Sequence, residues 1–500
     1  MLKLLLSFKK TAKVQEESSD RLILDTGDRS LTLEGLSAGL VAVIKTLGAG
    51  GDTEETLSDL ILEKDDASKL PLFYYYIQQF TNEGLICHTL EAEGKPLATL
   101  VPFARPYSLE FQDLEPEKKY VLSRFAYCHN DNGEMVWESP FLKAQLSFAD
   151  WRGAAMMGNL GKPQDANGLT EIPGISAETA ADLLTFLYGA KMLVAEGGQS
   201  ETTASQTTAS QTTASQTTAS QTIASQTTAS QIAEGEALAQ WEFHDLLFHY
   251  RTRRGRNPKI AGKTFRFLGK IKPLPAIKPQ VYEDFIELYK PDLEKLKQTD
   301  LPFTRVLEER TSIRTQDSQP ISAEQLGEFL YRAARVKEVM ATEKYEVSRR
   351  PYPSGGASYD LELYLAIDEC ENIDPGFYHY CPQNHRLGKI SAKNNQVETL
   401  LKQAGGAAGP DSGWEPQVLI VIAARFARVS WSYDAIAYSL TLKGVGVLQQ
   451  TMYLVATAMN LSPCAVGLGD SDLFAAAAGT DYYAETSVGE FVISSKKKEF

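Results

Sequence analysis

Two short segments carry residue types that could hold a phosphate and a flat ring. Arg310-Thr311-Ser312-Ile313-Arg314 sets two guanidinium groups and a hydroxyl at alternate positions. In an extended segment such positions share a face, so Arg310, Ser312 and Arg314 can meet one ligand. Guanidinium and hydroxyl donors suit a phosphate dianion. Further along, Arg350-Pro351-Tyr352-Pro353-Ser354-Gly355-Gly356-Ala357 stiffens the chain with two prolines and then sheds side-chain bulk. Backbone N–H groups there can approach a planar ring closely. Each segment alone is an ordinary loop. In this order they read as two halves of a flavin cradle, and neither has Walker or Rossmann spacing.

The elements that must position them are α+β in pattern. Ser322 is placed to cap a helix over Glu324–Arg335. Leu361–Ile367 alternates as a strand, and Val418–Ile422 is a continuous apolar run, hence a buried strand. Val445, Leu448, Met452, Val455 and Met459 recur at helical spacing on a long helix ending near Asn460, and Phe491–Ile493 reads as a last strand.

Toward the N-terminus, short strands at Leu22–Leu24 and Leu31–Leu33 precede helices opening at Ser37 and Thr53 and a third over Leu70–Glu83. Leu85–His88 and Leu97–Leu100 then form a two-stranded wing around Glu93-Gly94, which suggests a winged-helix module. A second block follows: strands at Tyr120–Tyr127 and Met135–Glu138, a helix from Ser147, and another over Ser176–Tyr188. Residues 202–231 are six copies of Thr-Thr-Ala-Ser-Gln with Ile223 the one substitution, a period that fits neither helix nor strand. The expected organisation is 1–104 and 105–198 as two winged-helix-like modules, 199–236 as a flexible linker, 237–300 as a connecting segment and 301–500 as the flavin domain. The basic run Arg251–Arg256 reads as a salt-bridged loop or a contact for phosphate or acidic peptide.

Composition narrows the function classes. Five hundred residues exceed one core, so several domains are expected, and a net charge of −14 argues against a nucleic-acid partner. Five cysteines without C-x-x-C spacing argue against a disulfide framework or zinc site. His379, Cys381 and His385 are close in sequence but read as a polar turn, so no metal is expected. The apolar start Met1–Leu6 is too short for a signal peptide, and no run reaches the length of a membrane span. The chain reads as cytoplasmic.

Residues 301–495 resemble the nitroreductase-like flavin oxidases, specifically the SagB/McbC-type azoline dehydrogenases. The resemblance rests on Arg310–Arg314, Tyr352–Ala357, Gly376-Phe377-Tyr378-His379-Tyr380, the Gly444–Asn460 helix and Pro463-Cys464-Ala465-Val466-Gly467. The N-terminal extension resembles that of the thiazoline oxidases of cyanobactin biosynthesis, which carry winged-helix-like peptide-binding modules. The resemblance implies a homodimer with FMN at the subunit interface. Arg310, Ser312 and Arg314 would hold the phosphate and ribityl chain. Pro353, Ser354, Gly355 and Gly356 would lie against the isoalloxazine, with Val466, Gly467 and Leu468 on its other side. The implied substrate is a thiazoline or oxazoline ring in a peptide, oxidised to an azole with oxygen as acceptor.

That chemistry needs a base. Related enzymes use a Lys-Tyr pair just after the buried strand. Here the matching positions are Ser432 and Tyr433, so the tyrosine is present and the lysine is not. An unassisted phenol, with a pKa near 10, is a poor base at neutral pH. Either a cation such as Arg425 or Arg428 assists Tyr433, or Tyr433 positions substrate. Two other readings fit the same fold: an NAD(P)H-dependent nitro- or quinone reductase, and a non-catalytic peptide-binding scaffold.

Overall fold

The computed structural model describes residues 2–27, 29–115, 118–196, 236–258, 261–409 and 414–497. The Thr-Thr-Ala-Ser-Gln repeat, expected as a linker, lies outside the described residues. The chain forms two compact units, Met1–Pro258 and Lys259–Phe500. Among the described residues no helix is long and apolar enough to cross a membrane.

In the second unit, strand patterning builds an antiparallel sheet in the order Phe285–Glu287, Arg386–Ala392, Gly376–Cys381, Leu361–Ile367, Val418–Arg425, Glu485–Ser495, Leu461–Val466. Leu361–Ile367 was expected to alternate between core and solvent, yet every residue of it is buried, as is every residue of Val418–Arg425. Both strands are central, so both faces are covered. Leu363, Leu365, Ile420 and Ile422 pack under the helices Ala323–Ala334 and Ala437–Ala458. Tyr364, Ala366, Leu419 and Val421 pack under Asn395–Ala408 and Ser471–Ala478. Ser322 caps its helix as expected, with Gln325 closing a reciprocal capping box.

Burying every position of a strand also buries Glu362. It is balanced by His379 at 3.3 Å and Arg425 at 3.3 Å. Burial opposes its ionisation, but the His379 hydrogen bond and the charges of Arg350 and Arg425 outweigh it and hold the carboxyl at about 2. His385 is likewise committed, to the Tyr380 hydroxyl and the Tyr289 carbonyl. No group of His, Cys, Asp and Glu arranged for a metal occurs among the described residues.

In the first unit, helices Ala38–Gly48, Glu54–Lys64 and Leu70–Asn82 precede the hairpin Ile86–Ala92 and Lys95–Pro102. Ser37 and Thr53 cap the first two. The helix expected from Ser147 instead begins at Trp151, capped by Asp150, because Ser147 is in the strand Ala144–Phe148. That strand pairs with Lys95–Pro102 in the register Ala144↔Pro102 to Phe148↔Ala98. One seven-stranded sheet therefore runs through both N-terminal stretches, across the expected boundary at 104/105.

The helix Phe243–Arg251, expected in a connecting segment, belongs to the first unit. Arg251 pairs at 2.8 Å with buried Glu138, which also accepts from Tyr127, His129 and Gln145. The Tyr250 hydroxyl donates to the Leu142 carbonyl, and Arg124 donates to the carbonyls of Leu238 and Trp241. Of the basic run, Arg251 is thus a salt-bridged clasp. On either side of the repeat, the Glu196 N–H donates to the Lys119 carbonyl and the Leu238 carbonyl accepts from Arg124, so both flanks are tied to this unit. Deleting 202–231 is accordingly expected to leave both units folded and ring oxidation within twofold of wild type. The loop-closure term changes by only about 1 kcal/mol. Circular dichroism, thermal melting and turnover check this.

Candidate active site

The first cradle segment lies where the helix Phe303–Glu309 ends at Arg310. The Ser312 hydroxyl is 2.7 Å from the Tyr453 hydroxyl, which accepts the Ala465 N–H at 2.7 Å. The Arg310 guanidinium lies over the Tyr453 ring at 5.3 Å. The Ile313 N–H donates to the Pro463 carbonyl, stitching the segment to the strand Leu461–Val466. Arg310 and Ser312 thus converge near the turn Val466-Gly467-Leu468. Arg314 is exposed, and among the described residues neither arginine is paired with a carboxylate. Two uncommitted guanidinium groups and a hydroxyl fit a phosphate.

The second segment forms a tight turn, Gly355–Ala357, whose Gly356 has φ 60° and ψ 24°. The Ser354 hydroxyl accepts the Tyr359 N–H at 3.0 Å, and the Tyr359 hydroxyl donates to the Tyr352 carbonyl at 2.8 Å. Arg428 clamps the Ser358 carbonyl just beyond the turn, at 2.7 and 3.0 Å. Arg350 is buried and donates to the Leu361 carbonyl at 3.2 Å. A side chain at Gly356 would meet the Tyr433 hydroxyl, because a Cβ built there lies 2.5 Å from it. The bare turn therefore lets the Tyr433 hydroxyl pack directly on Gly356, and a small-residue surface with a phenol beside it suits a planar ring.

The two segments do not meet within one chain. The long helix Ala437–Ala458 touches the turn through Leu440 near its start, since a Cβ on Gly355 would lie 3.4 Å from that side chain. It touches the phosphate segment through Tyr453 near its end. Thirteen residues of helix place these contacts about 20 Å apart.

Ser432 and Tyr433 differ in placement. Ser432 is fully buried and its hydroxyl faces the Val429 carbonyl at 3.4 Å, away from the turn. Its backbone carbonyl accepts the N–H groups of Thr264 and Phe265 at 2.9 and 3.1 Å. Arg425 and Arg428, considered as helpers for Tyr433, are committed elsewhere. Arg425 serves Glu362 and the Pro275 carbonyl, and Arg428 serves the carbonyls of Ser358, Leu274 and Glu346. The cation beside Tyr433 is Lys263, from the strand Gly262–Lys263 that pairs with Tyr433–Asp434. Sequence reading missed it because a two-residue strand has no periodicity.

Past the Val466–Leu468 turn, a Cβ at Gly469 would collide with the Glu490 carboxylate. Burial lifts the Glu490 carboxyl to about 7. A carboxyl raised above its unfolded value holds its proton preferentially in the folded state. It therefore removes stability as pH climbs from about 4.5 to about 7. Glu490→Gln is expected to raise the melting temperature by a few degrees at pH 8 and to leave it unchanged near pH 4, as read by thermal melting across pH.

Family models match along most of the chain. Residues 1–111 match the ThcOx helix-turn-helix domain, 120–212 and 175–258 match the cyanobactin oxidase ThcOx, and 307–490 match the nitroreductase family. The chain thus carries the domains of the cyanobactin oxidase ThcOx ahead of a nitroreductase-family domain. It is an oxidoreductase of mixed α and β structure, with an N-terminal helix-turn-helix domain and a C-terminal nitroreductase-like domain. The activity that goes with these domains is oxidation of azoline rings in ribosomally made peptides. "Putative nitroreductase MJ1384" of Methanocaldococcus jannaschii is 29% identical over 187 residues, 37% of this chain and 85% of that protein. The microcin B17-processing protein McbC of Escherichia coli is 32% identical over 117 residues, 23% of this chain and 42% of McbC. The match thus spans less than half of McbC. Among solved structures, a chain of the E. coli microcin synthetase McbBCD complex with truncated pro-MccB17 bound is similar at 20% identity and a TM-score of 0.33, over 50% of this chain and 91% of that one.

Proposed function

We propose that this ThcOx-domain oxidase binds FMN between two copies of the chain and converts thiazoline or oxazoline rings of a peptide to azoles, with dioxygen as final acceptor. The observation that carries the reading is the Arg310 guanidinium and Ser312 hydroxyl gathered at Tyr453, with the Tyr433 hydroxyl packed on the bare Gly356 turn. Arg310, Ser312 and Arg314 hold the phosphate. Pro353, Ser354, Gly355 and Gly356 lie against one side of the isoalloxazine, and Val466, Gly467 and Leu468 against the other. When bound, FMN supplies the acceptor for a hydride equivalent, and dioxygen carries the two electrons on as hydrogen peroxide. Tyr433 Oη takes the Cα proton of the azoline, so the ring loses two hydrogens and becomes aromatic. Dioxygen gains both, and the balance closes.

The separation of the two ends of the long helix supports sharing of the site between two copies. The phosphate end of one copy needs the turn of another. Apolar side chains stand exposed on the helices that flank these ends: Phe303 and Leu307 on one, Leu442 and Val447 on the other. A second copy would cover them. The helix-turn-helix domain and the sheet that continues from it are suited to hold the peptide outside the reacting ring. The five free cysteines suit the reducing cytoplasm.

The test is mass spectrometry of an azoline-containing peptide after incubation with the FMN-loaded protein in air. A loss of about 2 Da per ring, from two hydrogens, is expected. An unchanged peptide mass alongside a bound, oxidised flavin would sink the reading.

A further inference from the structure

Lys263 approaches the Gly356 turn from outside the sheet. A Cβ on Gly356 would lie 3.3 Å from its Nζ and 2.5 Å from the Tyr433 hydroxyl, so ammonium and phenol border the same small space. The ammonium also stands 5.8 Å from the centre of the Tyr433 ring, 5.3 Å from that of Phe265 and 5.2 Å from that of Tyr345. Among the described residues it makes no ion pair. Together with Phe265, Lys344, Tyr345, Val347 and the turn residues Gly356 and Ala357 it lines a cleft of about 440 Å³.

The way Lys263 gets there involves Ser432. The Ser432 carbonyl accepts two successive N–H groups, of Thr264 and Phe265, directly after Lys263. Lys263 is paired with Tyr433 in the strand register, and Gly262 with Asp434. Asp434 then fixes the segment, accepting from the Thr264 hydroxyl at 2.6 Å and pairing with Arg266 at 2.8 Å. The Trp431 indole N–H donates to the Ile271 carbonyl at 2.7 Å, and its ring packs on Phe265 and Tyr345. Residues 430–434 therefore act as the dock for 262–271.

We propose that Lys263 is the positioning cation of Tyr433 in ring oxidation: delivered by a strand docked on the Ser432 carbonyl, it holds the phenol oxygen toward the substrate and offsets the negative charge that oxygen carries when it takes the Cα proton. This rests on the azoline-oxidation reading above. The electron and proton balance is unchanged, because Lys263 neither gains nor loses a proton in the step. Other charged groups face the same space. Glu343 and Lys344 line the cavity, with Lys344 over the Phe265 ring at 4.0 Å. Arg428 stands 5.8 Å from the Tyr345 ring but is bound to backbone carbonyls, and Arg266 is neutralised by Asp434. Lys263 is the cation that stands beside both the turn and the Tyr433 ring.

The test compares FMN-loaded wild type, Lys263→Met, Lys263→Arg and Tyr433→Phe on one azoline peptide, reading kcat, KM, pH profile and bound flavin. Lys263 is exposed, so its removal should not unfold the protein. Lys263→Met is expected to lower kcat on the order of 100-fold, within the usual range for acid–base assistance, with KM and flavin content near wild type. The acid limb of its pH profile should move to higher pH, and Lys263→Arg should bring the limb back while restoring most of kcat. A Lys263→Met protein with wild-type kcat and an unmoved pH profile would overturn the inference while leaving the azoline reading intact. Failure of the wild type itself to oxidise the peptide would overturn the reading on which the inference rests.

Discussion

Coexpressed chains carrying Arg310→Ala and Tyr433→Phe are expected to recover about a quarter of wild-type ring oxidation, although either variant alone retains almost none. The reason is the spacing set by the helix Ala437–Ala458. Arg310 and Ser312 gather at Tyr453, near its end, and the Gly355–Ala357 turn with Tyr433 lies near its start. If one FMN takes its phosphate contacts from one chain and its ring contacts from another, a mixed dimer holds one doubly altered site and one intact site. Random pairing makes half of the dimers mixed, and half of the sites in those are intact. Arg310→Ala alone should weaken FMN retention roughly 10- to 100-fold, the loss of charge-assisted hydrogen bonds to phosphate. Flavin content by absorbance and turnover of the purified mixed dimer check both statements. No recovery on mixing would mean that one chain supplies the whole site.

Gly356→Val should reduce turnover about 100-fold without unfolding the protein. Two effects act together. Gly356 has φ 60°, where a β-branched residue is strained by roughly 1–2 kcal/mol. The new Cβ would also sit 2.5 Å from the Tyr433 hydroxyl and 3.3 Å from Lys263 Nζ, so the phenol must move. Tyr433 lies on a two-residue strand held by Gly262–Lys263, and that pairing can shift without disturbing the seven-stranded sheet. The melting temperature should therefore change by only a few degrees while kcat falls. A Gly356→Val protein that oxidises peptide within threefold of wild type would show that the turn does not face the reacting ring.

What was legible in the sequence is what local physics decides. The helix caps at Ser37 and Ser322 were readable from a hydroxyl ahead of an apolar period, and each caps the expected helix; the helices expected to open at Thr53 and Ser176 also begin there. The buried stripe of Val445, Leu448 and Met452 and the apolar strand at 418–422 were readable for the same reason. Leu361–Ile367 was misjudged because Glu362 looks like a solvent-facing position, whereas its charge is buried against His379 and Arg425, partners far away in sequence. That one sheet continues across 104/105 was not legible, because the pairing of 98–102 with 144–148 is a long-range choice that neither strand announces.

The site was legible in its residue types and not in its assembly. The motif that marked Arg310, Ser312 and the Gly355-Gly356 pair shows what each half would bind, while their separation along one helix emerges only from the packing. Ser432 was read as a catalytic position because of where it falls in sequence. Burial turns its hydroxyl to the Val429 carbonyl and leaves its backbone to hold another strand. Lys263 lies 170 residues from Tyr433 in a stretch without hydrophobic period, so no local signal could have paired them.

The account is tested most directly by mixing the FMN-loaded protein with an azoline-containing peptide under strict anaerobiosis, in the absence of NADH and NADPH, and following the visible absorbance of the flavin. The expected result is bleaching in a single turnover, one flavin reduced for each ring that loses about 2 Da, with the colour returning on admission of air. A flavin that stays oxidised with the peptide but bleaches at once with NADH or NADPH alone would contradict the account and make this chain a pyridine-nucleotide-dependent reductase.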